Sequence, residues 1–214
     1  QKYFSNKNVE LLICPLSVPD DNLETYTYQK WSSLQYMHSE QIDGLIVLTS
    51  SFLTQMQKSD FEKAIQEFSD KPIVSVSDKL NIQNTCYTHA ENCSEIYSTI
   101  VHHLKSKHKC KKIAFMSANL TNSTEAKERF FAYQNALKKN PLEYDENLVL
   151  DGAFTSSSAI KAIKQKFSSK SEVKFDAIIA ANDLMATGCI NAFKELGLKI
   201  PEDLKVFGFD DTSH

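Results

Sequence analysis

Residues 178–189 read "IIAANDLMATGC", with Asp176-Ala177 just before them. An apolar run of the kind that forms a strand buried on both faces stops at Asn182-Asp183. A helix-spaced pattern starts at once. An amide and a carboxylate at that junction have two possible uses. They cap the helix, or they face a ligand at the carboxyl end of the strand, where open α/β sheets bind their ligands. The reading of the whole chain turns on which.

Working outward, the same alternation recurs. Candidate strands are "VELLICPL" (9–16), "GLIVLTS" (44–50), "PIVSVS" (72–77), "TCYTHA" (85–90), "KIAFMSA" (112–118), "LVLDGA" (148–153), "DAIIAAN" (176–182) and "KVFGFD" (205–210). Helical patterns fill roughly 22–40, 59–69, 93–107, 124–139, 156–169 and 183–196. In the fourth, Ala126, Phe130, Tyr133 and Leu137 share one helical face. The last ends "KELGLKIP", where Gly197 suits a left-handed C′ residue, Leu198 packs behind it and Pro201 prevents continuation. "NCSE" (92–95) and "NSTE" (122–125) each fit an N-cap followed three residues later by glutamate. Strand–helix alternation predicts an α/β fold of right-handed βαβ units with parallel sheets. Eight strands are many for one sheet, and the basic stretch "KSKHKCKK" (105–112) offers a crossing between two. Two doubly wound subdomains around a cleft are therefore expected, over 1–108 and 109–214.

The chain has 214 residues, 42% hydrophobic and 24% charged, with a formal net charge of −3. This composition is that of a folded protein, and no global basic field draws it to nucleic acid or anionic lipid. No apolar run approaches the ~18 residues that span a bilayer, so no membrane partner is expected. Cys14, Cys86, Cys93, Cys110 and Cys189 are scattered and odd in number. They read as free thiols of a reducing cytoplasm.

Neither a phosphate-binding G-x-x-x-x-G-K-[ST] loop nor a G-x-G-x-x-G fingerprint occurs, and no G-x-S-x-G elbow. No cofactor is expected. His102 and His103, near His108 and Cys110, point ~100° apart on a helix and do not converge on one metal ion. Asp20-Asp21 fits the cap of a helix starting near 22. Nothing pairs a nucleophile with a base, so an enzyme is not expected.

Positive signal collects in the second half. Asn182 and Asp210 end strands, Arg129 lies early in the helix after "KIAFMSA", and Phe154 follows "LVLDGA". Asp210 can accept two hydroxyl protons, Arg129 can donate paired hydrogen bonds, Asn182 can do both, and Phe154 offers a flat apolar face. Taken singly, each has a structural use: Asn182 as a cap, Arg129 in a surface ion pair, Phe154 in the core. Their shared edge makes a binding site for a polyol or nucleoside-like molecule. On this reading Asp183 caps the helix and Asn182 faces the cleft beside Asp210 and Arg129.

The segment "FDAIIAANDLMATGCINAFKELGLKIPEDLKVFGFDD" (175–211) closely resembles the C-terminal subdomain of LacI/GalR ligand-binding domains, which share the periplasmic-binding-protein-like fold. "IVHHLKSKHKCKKIAF" (100–115), "QIDGLIVLTSS" (41–51) and "KPIVSVSDKL" (71–80) are similar to the family's crossing helix and N-terminal strands. The resemblance implies a clamp for a small effector, often a sugar or purine, whose closure changes the output of a homodimer. It places the family's effector contacts at Arg129, Phe154, Asn182 and Asp210, and its acidic N-terminal contact at Asn92 in "THAENCSE". It also implies a piece lacking the family's first strand and helix, its C-terminal recrossing segments and its DNA-binding helix-turn-helix. DNA would then be reached only through a domain outside this chain. The stretch 119–154 is most similar to sensors that precede a GGDEF cyclase or a histidine kinase. The alternative is an extracytoplasmic solute-binding protein for uptake or chemotaxis, which upstream sequence would reveal.

Overall fold

The computed structural model describes residues 9–13, 40, 42–53, 56–88, 93–118, 120–121 and 123–212. Among the described residues, seven strands form two parallel sheets. In the first, β1 (Leu45–Leu48), β2 (Ile73–Val76) and β3 (Thr85–Thr88) lie in that order. In the second, β4 (Ile113–Ser117), β5 (Val149–Asp151), β6 (Ala177–Ala180) and β7 (Lys205–Phe207) take the order β5-β4-β6-β7. The helices are α1 (Thr49–Leu53), α2 (Lys58–Gln66), α3 (Ser94–Ser106), α4 (Thr124–Lys139), α5 (Ser156–Lys166) and α6 (Asp183–Glu195). The α/β architecture expected from the alternation is therefore present.

The second sheet winds both ways. From β4 the chain passes through α4 to β5 on one side, and from β6 through α6 to β7 on the other. Right-handed crossovers put α4 on one face and α5 and α6 on the opposite one, and α3 packs against α4. Both central strands are buried at every residue, as near-continuous apolar runs require. The reversal between β4 and β6 opens a crevice at their carboxyl ends, the place where such sheets receive ligands.

Local signals set the helix ends. Gly197 has φ 83°, its N–H donates to the Lys194 carbonyl at 2.9 Å, and Leu198 N–H donates to Phe193 at 3.0 Å. These are the two bonds of a left-handed glycine stop. For α4 the cap is Ser123 rather than Asn122: its Oγ accepts Ala126 N–H at 3.1 Å. That one-residue shift frees Glu125 from a capping role. The start of α3 is Cys93, which makes no side-chain cap bond.

Three expectations fare differently. Residues 9–13 form no strand, and Leu12 and Ile13 are exposed. An apolar run becomes a strand only where neighbours take its N–H and C=O groups, and none of the described strands does. The helix expected over 22–40 lies outside the described residues but for Glu40. The expected division at 108/109 falls between α3 and β4, yet α3 buries Tyr97, Val101 and Leu104 in the core of the second sheet.

Candidate functional site

Arg129 is the only arginine in the sequence, and it is buried on α4 with 8% of its surface exposed. A guanidinium out of water needs partners for most of its donors. One amino group donates to the Ala181 carbonyl at the end of β6. The other pairs with Asp210 Oδ1 at 3.1 Å and with Glu125 Oε1 one helical turn away. Below, its plane lies 4.2 Å from the Phe209 ring centre, where the ring face attracts a cation. Arg129 therefore spans the crevice from α4, over the end of β6, to the segment after β7. Lysine could not make this fork of bonds.

Asp210 sits at φ 115°, in the region that disfavours side chains. Two contacts hold the segment there. Asp183 accepts Thr212 N–H at 2.9 Å and Thr212 Oγ1–H at 3.1 Å. At Gly208 an added Cβ would fall 2.0 Å from Asp183 Oδ1, so the carboxylate fills the space only glycine leaves. Burial raises the Asp210 pKa above the usual carboxylate range; Arg129 opposes the rise and the Glu125 charge adds to it. Asp210 Oδ2 and the remaining Arg129 N–H groups take no partner among the described residues.

The junction at 182–183 corrects the sequence reading. Asn182, not Asp183, is the N-cap: its backbone is extended, and its Oδ1 accepts Met185 N–H at 2.9 Å. Its Nδ2 donates to the Phe154 carbonyl at 3.1 Å. Both ends of the amide are thus used inside the protein. A cap is the last non-helical residue, and Asp183 is already helical. Phe154 itself is half-buried against the second core at φ 59°. The structure thus brings Arg129 and Asp210 into direct contact and joins Asn182 to Phe154. Asn92 lies outside the described residues.

Sequence reasoning missed Phe209 and Tyr97, and saw Glu125 and Asp183 only as capping groups. The spacing of Glu125 and Arg129, one turn apart, was readable. So was the presence of a single arginine. Tyr97 was not: it comes from α3, stacks on Phe209 at 5.7 Å and buries a hydroxyl with no partner among the described residues. Burial pushes its pKa well above the usual tyrosine range. A depression of about 280 Å³ opens beside the site at the ends of β4 and β5, lined by Ser117, Leu120 and Asp151.

Two parallel α/β sheets, the second reversing its winding at the crevice, define the class of the periplasmic binding proteins. Comparison with known proteins agrees. Residues 101–214 match the periplasmic binding protein-like domain family. The PurR repressor of Haemophilus influenzae (strain PittEE) is 30% identical over 178 residues, 83% of this chain and 50% of that protein. The AscG regulator of Escherichia coli K12 is 25% identical over 181 residues, 85% and 51% respectively. Among solved structures, a CelR–cellobiose complex superposes with a TM-score of 0.68 at 24% identity, over 86% of this chain and 54% of that one. The Lactococcus lactis regulator CcpA gives 0.68 at 21%, over 87% and 65%. The chain belongs to the periplasmic binding protein-like domain family, as a ligand-binding domain of the LacI type. It spans about half the length of the curated relatives it matches.

Proposed function

We propose that this chain is the effector-binding part of a LacI-type transcriptional regulator. A small molecule held at the carboxyl ends of the second sheet would bias two arrangements of the sheets, and so an output carried elsewhere in the protein. The observation that carries this reading is the buried Arg129 meeting Asp210 across the winding reversal. A lone guanidinium placed there, with carboxylate and N–H capacity left over, suits a polar ring with several hydroxyl or amide groups. One cation among Glu125, Asp183 and Asp210 leaves the site net negative. That disfavours anionic effectors and favours a neutral sugar or nucleoside-like molecule.

The relatives' names support a DNA-binding output over a cyclase or kinase, and a regulator over an enzyme. A homodimer in the cytoplasm fits the same reading. Of the site residues, Arg129 and Asp210 are the proposed direct contacts. Phe154 supplies an apolar face, Asn182 holds Phe154 in place, and Asn92 is proposed from the family's acidic position.

The test is a thermal-shift screen of mono- and disaccharides, cellobiose included, with purine bases and nucleosides. A compound binding only the folded state raises the melting temperature. The shift is expected to vanish in Arg129→Ala and Asp210→Asn, each measured against its own ligand-free baseline. An undiminished shift in both variants rejects the site.

A further inference from the structure

The first sheet also ends in polar residues. At the carboxyl ends of β1 and β2, Thr49, Ser75 and Asp78 are almost wholly buried, Asp78 with only 1% exposed. Its backbone is fixed locally. Asp78 N–H donates to Thr49 Oγ1 at 2.8 Å, and Ser75 Oγ–H donates to the Asp78 carbonyl at 2.7 Å. Neither bond compensates the charge. A buried carboxylate needs a cation or several donors, and none of the described lysines, nor Arg129, pairs with it. Thr49 Oγ1 stands 3.5 Å from Oδ2, but its one hydrogen also serves the Val76 carbonyl.

The remaining partner comes from the other sheet. Asp78 Oδ1 accepts the backbone N–H of Thr124 at 3.3 Å. Thr124 is the first residue of α4, and its N–H has no partner within the helix. The carboxylate therefore meets the positive end of α4. Tyr87 of β3 lies in the same region: burial raises its pKa, and the charges of Glu128 on α4 and of Asp78 add to the rise. On that helix Glu125 follows Thr124 directly, and Arg129 lies one turn beyond Glu125.

We propose that Asp78 is a positioning residue of the effector site: from the first sheet it holds the N-terminus of α4, and through α4 it sets Arg129 against Asp210. This rests on the effector-binding reading for its consequence, though not for its test. Occupancy at Arg129 and the approach of the two sheets become one event, because both act on the same helix. Asp78 would influence effector affinity without touching the effector.

The test needs no effector. Thr124→Pro deletes the N–H that Asp78 accepts. Proline is well tolerated at the first helical position, and Ser123 already has the extended backbone that precedes a proline (φ −102°, ψ 117°). Two measurements are made on the full chain. The first is the distance distribution between spin labels at exposed Cys86 and at Lys164→Cys, with Cys14 replaced by serine. The second is the 15Nε–Hε signal of Arg129, the only arginine. Asp78→Ala and Thr124→Pro are each expected to broaden the distribution and move the Arg129 signal, the double variant no further than either. Asp78→Asn, which keeps an acceptor, is expected to fall between. A wild-type Arg129 signal in Thr124→Pro, or additive effects in the double variant, overturns the proposal. Failure of the sugar and nucleoside screen with these shifts intact would reject the effector reading alone.

Discussion

The two sheets use similar residues to opposite effect. In the second sheet β4 and β6 are buried at every position, with helices on both faces. In the first, β1 and β2 alternate, and Ile46 and Leu48 stand 60% and 56% exposed among the described residues. A doubly covered sheet can hold a charged side chain out of water, because its strand ends are fixed on every side. Arg129 is kept there. The first sheet meets the site through one described carboxylate, Asp78, acting on a helix of the second.

The largest test of this contrast is a paired truncation. Phe115 of β4 is fully buried and packs on Tyr133 at 4.7 Å, Phe130 at 5.9 Å and Tyr97 at 6.2 Å. Phe115→Ala is expected to cost about 3–5 kcal/mol. Val74→Ala on β2 removes a side chain 37% exposed on the open face and is expected to change stability by about 0.5 kcal/mol or less. Urea unfolding read by amide exchange of β4 and β6, and separately of β1 and β2, measures both. Equal costs would show that the first sheet's open face is covered as fully as the second's.

A smaller effect probes how the second sheet is closed. Gly188 lies in mid-helix in α6, where glycine is normally unfavourable. A Cβ there would meet the Ser156 carbonyl at 2.5 Å and Ala159 Cβ at 3.0 Å. The glycine lets α5 and α6 approach. Gly188→Ala is expected to destabilise by about 1–3 kcal/mol despite its better helix propensity. A melting temperature that rises would mean the helices give way freely.

Much of this was legible beforehand, for a physical reason. Strands 44–50, 72–77, 112–118 and 176–182 announced themselves by β-branched or apolar runs, and each falls within two residues of its place. The glycine stop of α6 was readable because only glycine takes φ 83° cheaply. The site was legible as a location: strand ends are where loops leave side chains facing outward. Roles within it were not. Asn182 and Asp183 are both good caps, and the choice depends on where the backbone turns helical, one residue either way. Tyr97 contributes from an element four strands earlier in the chain, and no spacing rule connects it to Phe209. The strand expected at 9–16 failed over 9–13 because apolar composition supplies no hydrogen-bonding partner.

The corrected cap gives the next prediction. Asn182→Ala removes the acceptor for Met185 N–H and the donor to Phe154, and is expected to cost about 1 kcal/mol, at most ~2. Asn182→Ser restores a capping oxygen without the Phe154 bond. In serine the helix should recover its stability by thermal melting while the amide exchange of Ala153 and Phe154 stays raised. If serine restores both, the bond to Phe154 holds nothing.

The smallest effect is the one whose sign matters most. Tyr97 and Tyr133 are both fully buried beside Phe115, and burial keeps both protonated. Tyr133 Oη–H donates to the Ile113 carbonyl at 2.7 Å; the Tyr97 hydroxyl has no partner among the described residues. An unpaired buried hydroxyl is a penalty, so removing it is expected to be neutral or stabilising, within about 1 kcal/mol. Tyr133→Phe loses a bond made and should destabilise by about 1 kcal/mol. Thermal melts of the two variants settle the comparison. Should Tyr97→Phe prove as costly as Tyr133→Phe, the hydroxyl has a buried partner such as an ordered water. The floor beneath Phe209 and Arg129 would then be polar rather than dry.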